Sequence, residues 1–201
     1  GSLTAQMKPL WNKRGFPDVY FSCDRVYMDN VSDWYLSSEE VSETDMVILV
    51  PKGNPRKVKG MEDLGAEGMR LGVADPVKSA LGRLTVDLLK KAGLFESVYS
   101  KVETKAGTAD FLVNQIVVSG GRNLDAVIVY LANTVNVKDK VTILNIDHPA
   151  ALARQPIAVS RISQRPQLAR RFIDKILSPA SEERFKGMGF RWQSDGKDES
   201  E

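Results

Sequence analysis

The 201-residue sequence holds one cysteine, one histidine and no long apolar run. One cysteine excludes an intrachain disulfide framework, and Cys23 with His148 offers too few ligands for a zinc site. No apolar stretch is long enough to span a bilayer. An excess of one charge is also missing, with 28 Lys and Arg against 26 Asp and Glu and a net charge of +2. No segment concentrates the cations, so nucleic acid is not an expected partner. The start "GSLTAQMKPLW" lacks the basic and apolar regions of a signal peptide. No G-x-S-x-G elbow, G-x-G-x-x-G or Walker A pattern occurs, and "SGGRN" reads as a helix-ending turn. Cys23, at the end of "YFSC" with no basic neighbour, is expected to be a buried structural thiol. His148, in "NIDHPAAL", is expected to be exposed or loop-packed. With no nucleophile–base pair and no metal set, the chain is not expected to be an enzyme or to carry a cofactor.

What is present is an alternation of strands and helices. Strand-like runs rich in Val and Ile occupy 18–23, 45–51, 69–75, 124–130, 141–146 and 155–161. Several are apolar almost throughout, which suits strands covered on both faces. Helical periodicity follows in "SALGRLTVDLLKKAG", with Leu81, Leu84, Leu88 and Ala92 on one face and Gly93 as the stop. In "TADFLVNQIVVSGG", Thr108 is the expected N-cap, Phe111, Leu112 and Ile116 the buried face, and Gly120 the end. In "RPQLARRFIDKILS", Pro166 suits the first turn, and Leu168, Phe172, Ile173, Ile176 and Leu177 are expected to face inward. A short helix, "PASEERFKGMG", and a polar tail complete the chain. This pattern predicts an α/β fold with mainly parallel sheets. "TDMVILVPKGNP" and "ARQPIAVSRISQRP" each combine an extended apolar centre with a proline, and could pair as a two-stranded hinge. The expected division is 1–48 and 156–192 in one lobe, 49–155 in the other, and a tail over 193–201.

The chemistry on offer is neutral hydrogen-bond donation. Three candidate helix starts carry small or hydroxyl residues: "GSLT" (1–4), "DPVKSALG" (75–82) and "AGTAD" (106–110). Unpaired amides and the helix dipole make such starts ready oxyanion sites. Ser2 and Thr4, Ser79 with the amides of 80–82, and Thr108 with Ala109 could serve, and equally these Ser and Thr could be simple caps. Tyr130 ends the run "NLDAVIVY", where open α/β sheets bind ligands. It is either a ligand contact or a packed edge tyrosine. A site of donors alone holds a fully ionised oxyanion and gains nothing from a proton on the ligand.

Along nearly its whole length the chain resembles the periplasmic molybdate-binding proteins, the type 2 substrate-binding components of ABC transporters. "FPDVYFSCDRVYMD" resembles the family stretch P-A-D-V-F-x-S-A-D-x-x-x-M-D. "DMVILVPKGNP" with "VKGMEDLG" resembles the crossing strand and its I-x-x-L-x-D-L continuation. "LGVADPVKSALGRL" resembles the D-P-x-x-x-P-A-G segment, and "LDAVIVYLANT" the A-D-x-G-I-V-Y-x-T-D-A strand. "QPIAVSRISQRPQLARRFIDKILSPASEERFKGMGF" resembles the return crossing and last helices.

The resemblance implies a two-lobed, periplasmic-binding-protein-like type 2 fold with a two-stranded hinge. It implies capture of molybdate or tungstate for an ABC transporter permease, outside the cytoplasm in the periplasm or extracellular space, either free or anchored through a segment ahead of Gly1. It implies no nucleic-acid partner and no direct membrane insertion. Position by position, it implies a ligand hydroxyl at Ser2, backbone amides at Leu81 and Ala109, and a phenol at Tyr130. Family members begin with a strand and helix ahead of the segment matching Ser2. The resemblance therefore implies a first lobe incomplete at its N-terminus, with an exposed apolar surface or a partner chain at the gap. Ala80-Leu81-Gly82 stands for the family's P-A-G, which would add bulk near the anion, and Ala132-Asn133 for its T-D. A sensing domain of the same fold, or a binding module that has lost its anion, are the alternatives.

Overall fold

The computed structural model describes residues 6–192. The expectations for Ser2 and for the polar tail lie outside the described residues. The chain divides into two compact units, Gly1–Thr44 with Ala153–Glu201, and Asp45–Leu152. The boundaries fall at 44/45 and 152/153 rather than at 48/49 and 155/156. One uninterrupted strand, β2 (Glu39–Pro51), runs through the first crossing, so no turn residue marks it in the sequence.

The unit Asp45–Leu152 is built on five strands. β2 is flanked by β5 (Ala126–Tyr130) and β6 (Val141–Asn145), both antiparallel to it. β3 (Leu71–Ala74) pairs in parallel with β5 on one side and with β4 (Val102–Ala106) on the other. β5–β3–β4 pair in parallel while β2 is antiparallel to β5 and β6, so this sheet is mixed rather than mainly parallel. The apolar runs explain the centre: β3 is buried at every position, and Val127, Ile128 and Val129 are fully buried. β4, "VETKA", alternates exposed charge with half-buried residues because it is the outer strand of this order, and a strand of that kind has no apolar run to mark it.

Helices cover these strands. α2 (Ala80–Lys91) buries Leu81, Leu88 and Leu89 and stops at Gly93, whose φ of +70° is left-handed. α3 spans Phe95–Tyr99. α4 (Ala109–Ser119) buries Leu112, Val113 and Ile116 and ends on left-handed Gly120. Phe111 is half-exposed instead of inward, because it lies about 100° around the helix from Leu112.

At the N-terminal ends of β3 and β5 a polar lock closes the sheet. The Asp125 carboxylate accepts from the Arg70 backbone at 3.0 Å and from its guanidinium at 2.8 and 3.1 Å, and from Arg56 at 3.3 Å. Arg70 also donates to the carbonyls of Gly121 and Arg122. Burial pushes the Asp125 carboxyl up, but the Arg70 hydrogen bonds and the charges of Arg70 and Arg56 outweigh it and hold it below its ordinary value.

The other unit carries β1 (Val19–Phe21) antiparallel to β7 (Leu152–Val159), and β8 (Arg191–Trp192) antiparallel to the first half of β2. α1 (Arg25–Asp29), α5 (Pro166–Ile176) and α6 (Pro179–Gly187) complete it. Tyr20, Met28, Val31 and Tyr35 form one core cluster; Val41, Ile157, Val159, Ala169, Ile173 and Trp192 form another. Only Ala169 and Ile173 of α5 are fully buried, with Ile176 and Leu177 half-buried. Leu168 and Phe172 are 57% and 50% exposed, contrary to their expected inward position. They sit on the shoulder of the buried stripe and line a groove of about 380 Å³ with Asp18, Val19, Arg165 and Ala169. β1 is the outermost strand beside that groove.

The polar residues of this unit bond to one another. Ser22 Oγ donates to the Asp24 carbonyl at 2.6 Å, Ser42 Oγ donates to Gln155 Oε1 at 2.9 Å, and Gln155 donates to the carbonyls of Cys23 and Ala153. Asp24 caps α1 by accepting from the Val26 amide, and also accepts from the Arg154 amide. Burial raises its carboxyl above the ordinary value, outweighing the backbone hydrogen bonds it accepts, and the charge of Asp29 adds to the rise. Cys23 is exposed rather than buried. It lies two residues past the end of β1, in the bend that leads into α1.

Candidate functional site

The C-terminal ends of β5, β3 and β4 lie side by side, because the three strands are parallel and adjacent. Ala74 is opposite Ala106, and the Asp75 amide donates to the Ala106 carbonyl at 2.7 Å. Leu71 is opposite Ala126 and Gly72 is opposite Val127, so β3 and β5 run in the same direction. Three chain segments therefore leave the same end of the sheet: 75–79 into α2, 107–108 into α4, and the 3-10 helix Leu131–Val137 after Tyr130.

Each segment positions a helix start. After β3, Asp75 turns the chain by accepting from the Val77 amide at 2.8 Å and the Lys78 amide at 3.3 Å. Ser79 then takes the N-cap position with an extended backbone but makes no side-chain cap bond. The first amides of α2, at Ala80, Leu81 and Gly82, have no intrahelical acceptor. Gly82 lets the helix rest directly on the strand end. A Cβ there would lie 2.4 Å from the Ala74 carbonyl oxygen and 2.6 Å from that of Asp75, so any other residue would push the helix start away. Leu81 is only 1% exposed and packs within the core of this unit.

After β4, Thr108 caps α4 by accepting from the Phe111 amide at 3.3 Å. That leaves the amides of Ala109 and Asp110 as the first of the helix without an intrahelical acceptor. Tyr130 ends β5 half-buried, packed against the core of this unit and paired with Met46 across β2. Leu81, Ala109 and Tyr130 are thus brought to one end of one sheet, while Ser2 lies outside the described residues. His148 is loop-packed, with Nδ1 accepting from the Ala150 amide at 3.0 Å. No group of three or more His, Cys, Asp or Glu suited to a metal occurs among the described residues.

Two residues of this end carry no signal in the sequence. Asp110 is the second residue of α4, and its Oδ1 accepts from Asn133 Nδ2 at 3.0 Å. Asn133 Oδ1 is buried without a hydrogen-bond partner among the described residues. The pair is 23 residues apart, and nothing local in the sequence joins them. Only the strand order brings the α4 start to the segment after β5.

A family model described as bacterial extracellular solute-binding protein matches residues 1–191. The molybdate-binding protein ModA of Mycobacterium tuberculosis (strain ATCC 25618 / H37Rv) is 27% identical over 177 residues, covering 86% of this chain. The chain spans 65% of that relative's length. The periplasmic molybdate-binding protein of Azotobacter vinelandii superposes with a TM-score of 0.71 at 16% identity, over 94% of this chain and 83% of that one. Iron-bound HitA of Pseudomonas aeruginosa superposes with a TM-score of 0.75 at 13% identity, over 94% and 72%. These likenesses show the fold, α/β of the periplasmic-binding-protein type 2. One of the two proteins binds molybdate and the other iron, so the fold by itself leaves the ligand open.

Proposed function

The chain belongs to the bacterial extracellular solute-binding protein family, and we propose that it captures a tetrahedral oxyanion, molybdate or tungstate, for an ABC transporter. The observation that carries this reading is the alignment of three chain segments at the C-terminal end of β5–β3–β4. Two helix starts and the strand end that carries Tyr130 lie at this one end of the sheet, which supports the reading. In this reading the anion accepts from the Leu81 and Ala109 amides and from the Tyr130 hydroxyl. Neutral donors suit capture followed by release. They bind a dianion through preorganised dipoles without forming a permanent ion pair, so the anion can leave again. The molybdate-binding relatives support the choice of ligand. The partner in this reading is a permease that receives the anion, and the site of action is the periplasm or the extracellular space. No helix among the described residues is long and apolar enough to cross a membrane.

Isothermal titration calorimetry tests the reading. Molybdate and tungstate are expected to bind one per chain and to compete with each other. Sulfate is expected to bind more weakly. A folded chain that releases no heat with molybdate or tungstate would refute the proposed ligand.

A further inference from the structure

We propose that the cavity where β1 begins and β7 ends is a further binding site, for a small organic phosphate: a phosphate monoester on an apolar body. It lies wholly within the unit that carries β1 and does not depend on the oxyanion reading. Val19 of β1 is opposite Val159 of β7, so the segments 12–18 and 160–165 meet at that end of the two strands. Between them lies a cavity of about 630 Å³, a size that suits a small molecule. Lys13, Arg14 and Arg165 line it together with Phe16, Asp18 and Ile162.

The charge of this lining is one-sided. Elsewhere the arginines face carboxylates: Arg25 meets Glu40, Arg70 meets Asp125, Arg154 meets Glu43 and Arg170 meets Glu39. The side chains of Lys13, Arg14 and Arg165 have no such partner among the described residues. The carboxylate of the lining, Asp18, is engaged by Ser163, whose Oγ donates to its Oδ1 at 2.6 Å. Three cations beside one carboxylate repel one another and leave a positive potential that a bound anion relieves. Guanidinium forks match the oxygens of a phosphate, and the lysine adds a point charge. Phe16 and Ile162 are half-buried and form an apolar wall that a bare inorganic anion would leave unused.

Both sides of the cavity are fixed by the fold. The Phe16 ring packs 5.1 Å from that of Trp11, 5.9 Å from Trp34 and 5.7 Å from Tyr35. Its loop turns through left-handed Asn12 and Gly15, at φ of +59° and +95°. Across the cavity, the Ser160 amide donates to the Asp18 carbonyl at 2.8 Å, and the Arg165 amide donates to Ser163 Oγ at 3.1 Å. Walls held in this way lose little binding energy to ordering.

Phenyl phosphate is the probe, with inorganic phosphate and phenol as controls, in calorimetric and amide NMR titrations. Phenyl phosphate is expected to bind one per chain, about tenfold more tightly than either control, because only it uses both the cations and the apolar wall. The largest shifts are expected on the amides of Arg14, Gly15, Phe16 and Ile162. Arg14→Gln and Arg165→Gln change exposed positions, so both variants should fold, as thermal melts would verify. Each is expected to weaken phenyl phosphate about tenfold, as loss of a hydrogen bond to a charged group does. Ile162→Ser is expected to weaken phenyl phosphate and leave inorganic phosphate unchanged. No binding, equal affinity for phenyl phosphate and inorganic phosphate, unchanged affinity in both arginine variants, or shifts confined to the starts of α2 and α4 would overturn the proposal. Co-sedimentation with phosphatidylcholine vesicles containing phosphatidic acid, without binding of phenyl phosphate, would assign the cavity to a lipid surface and overturn it as well. None of these outcomes bears on molybdate binding, so the proposed function stands or falls separately.

Discussion

The two ends of the parallel strands β5, β3 and β4 use their polar groups in opposite ways. At the N-terminal end, Asp125, Arg70, Arg56 and the carbonyls of Gly121 and Arg122 satisfy one another. At the C-terminal end, Ser79 makes no cap bond, α2 and α4 begin with amides that have no intrahelical acceptor, and Asn133 Oδ1 has no partner among the described residues. One end has spent its hydrogen-bonding capacity on the fold. The other keeps capacity in reserve, at the place where a parallel sheet can present it to a ligand. Stability and binding should therefore be separable by mutation at the two ends.

The sharpest separation lies within a single residue. Leu81 gives its side chain to the core and, in the proposed reading, its amide to the anion. Leu81→Ala is expected to cost about 3 kcal/mol of stability, within the range for buried leucines. Its anion affinity, measured by calorimetry below the melting transition, should stay within a factor of a few. A large affinity loss in a folded Leu81→Ala protein would show that the side chain belongs to the site after all.

Asp125→Asn comes next. Its side chain is 7% exposed, but Arg70 and Arg56 are 34% and 43% exposed. Solvent screening at the arginines places the expected loss at roughly 2 kcal/mol, below that of fully buried pairs. The loss has a pH signature. A carboxyl held below its ordinary value stabilises the fold above the unfolded pKa of about 3.9 and stops doing so as pH falls through its folded value. Denaturant melts of Asp125→Asn should therefore converge on wild type in acid and differ most at neutral pH. Asp24 has the opposite sign: its raised carboxyl favours the fold when protonated and loses that contribution as pH rises through its folded value. Asp24→Asn, which keeps an N-cap acceptor, should flatten the pH dependence on that side.

A smaller effect is expected at Tyr130. Tyr130→Phe should weaken molybdate binding by about 1.5 kcal/mol, the lower range for a hydrogen bond to a charged group. Unchanged affinity would assign Tyr130 to packing alone. The smallest effect belongs to the shoulder of α5. Leu168→Ser is expected to change stability by less than about 0.5 kcal/mol, as exposed positions do. Ile173, five residues further and fully buried, should cost several times more on truncation to alanine.

Much of the central sheet is legible in the sequence, because β3 and β5 are apolar at every buried position and the helices between them carry periodic leucines and glycine stops. β4 is not, because an outer strand needs only alternation, and "VETKA" carries two charges in five residues. The inward face of α5 is narrower than its apolar residues suggest: a helix on the edge of a sheet buries a thin stripe, and Leu168 and Phe172 fall beside it. Ser79 and Thr108 are legible as helix starts. That their neighbours Leu81 and Ala109 come to the same end of the sheet as Tyr130 depends on strand order, which periodicity does not encode. Asp110 and Asn133 are illegible for the same reason. Their contact is made by two segments that meet only after β5, β3 and β4 have paired.

The central claim is that the anion binds at the C-terminal end of β5–β3–β4. An amide NMR titration of the isotope-labelled chain with molybdate tests it most directly. The largest shifts are expected on the amides of Leu81 and Gly82 at the start of α2 and of Ala109 and Asp110 at the start of α4. The Arg70–Asp125 end is expected to stay unmoved. Shifts confined to the Arg70–Asp125 end or to the unit that carries β1, or none at all from a folded chain, would contradict it.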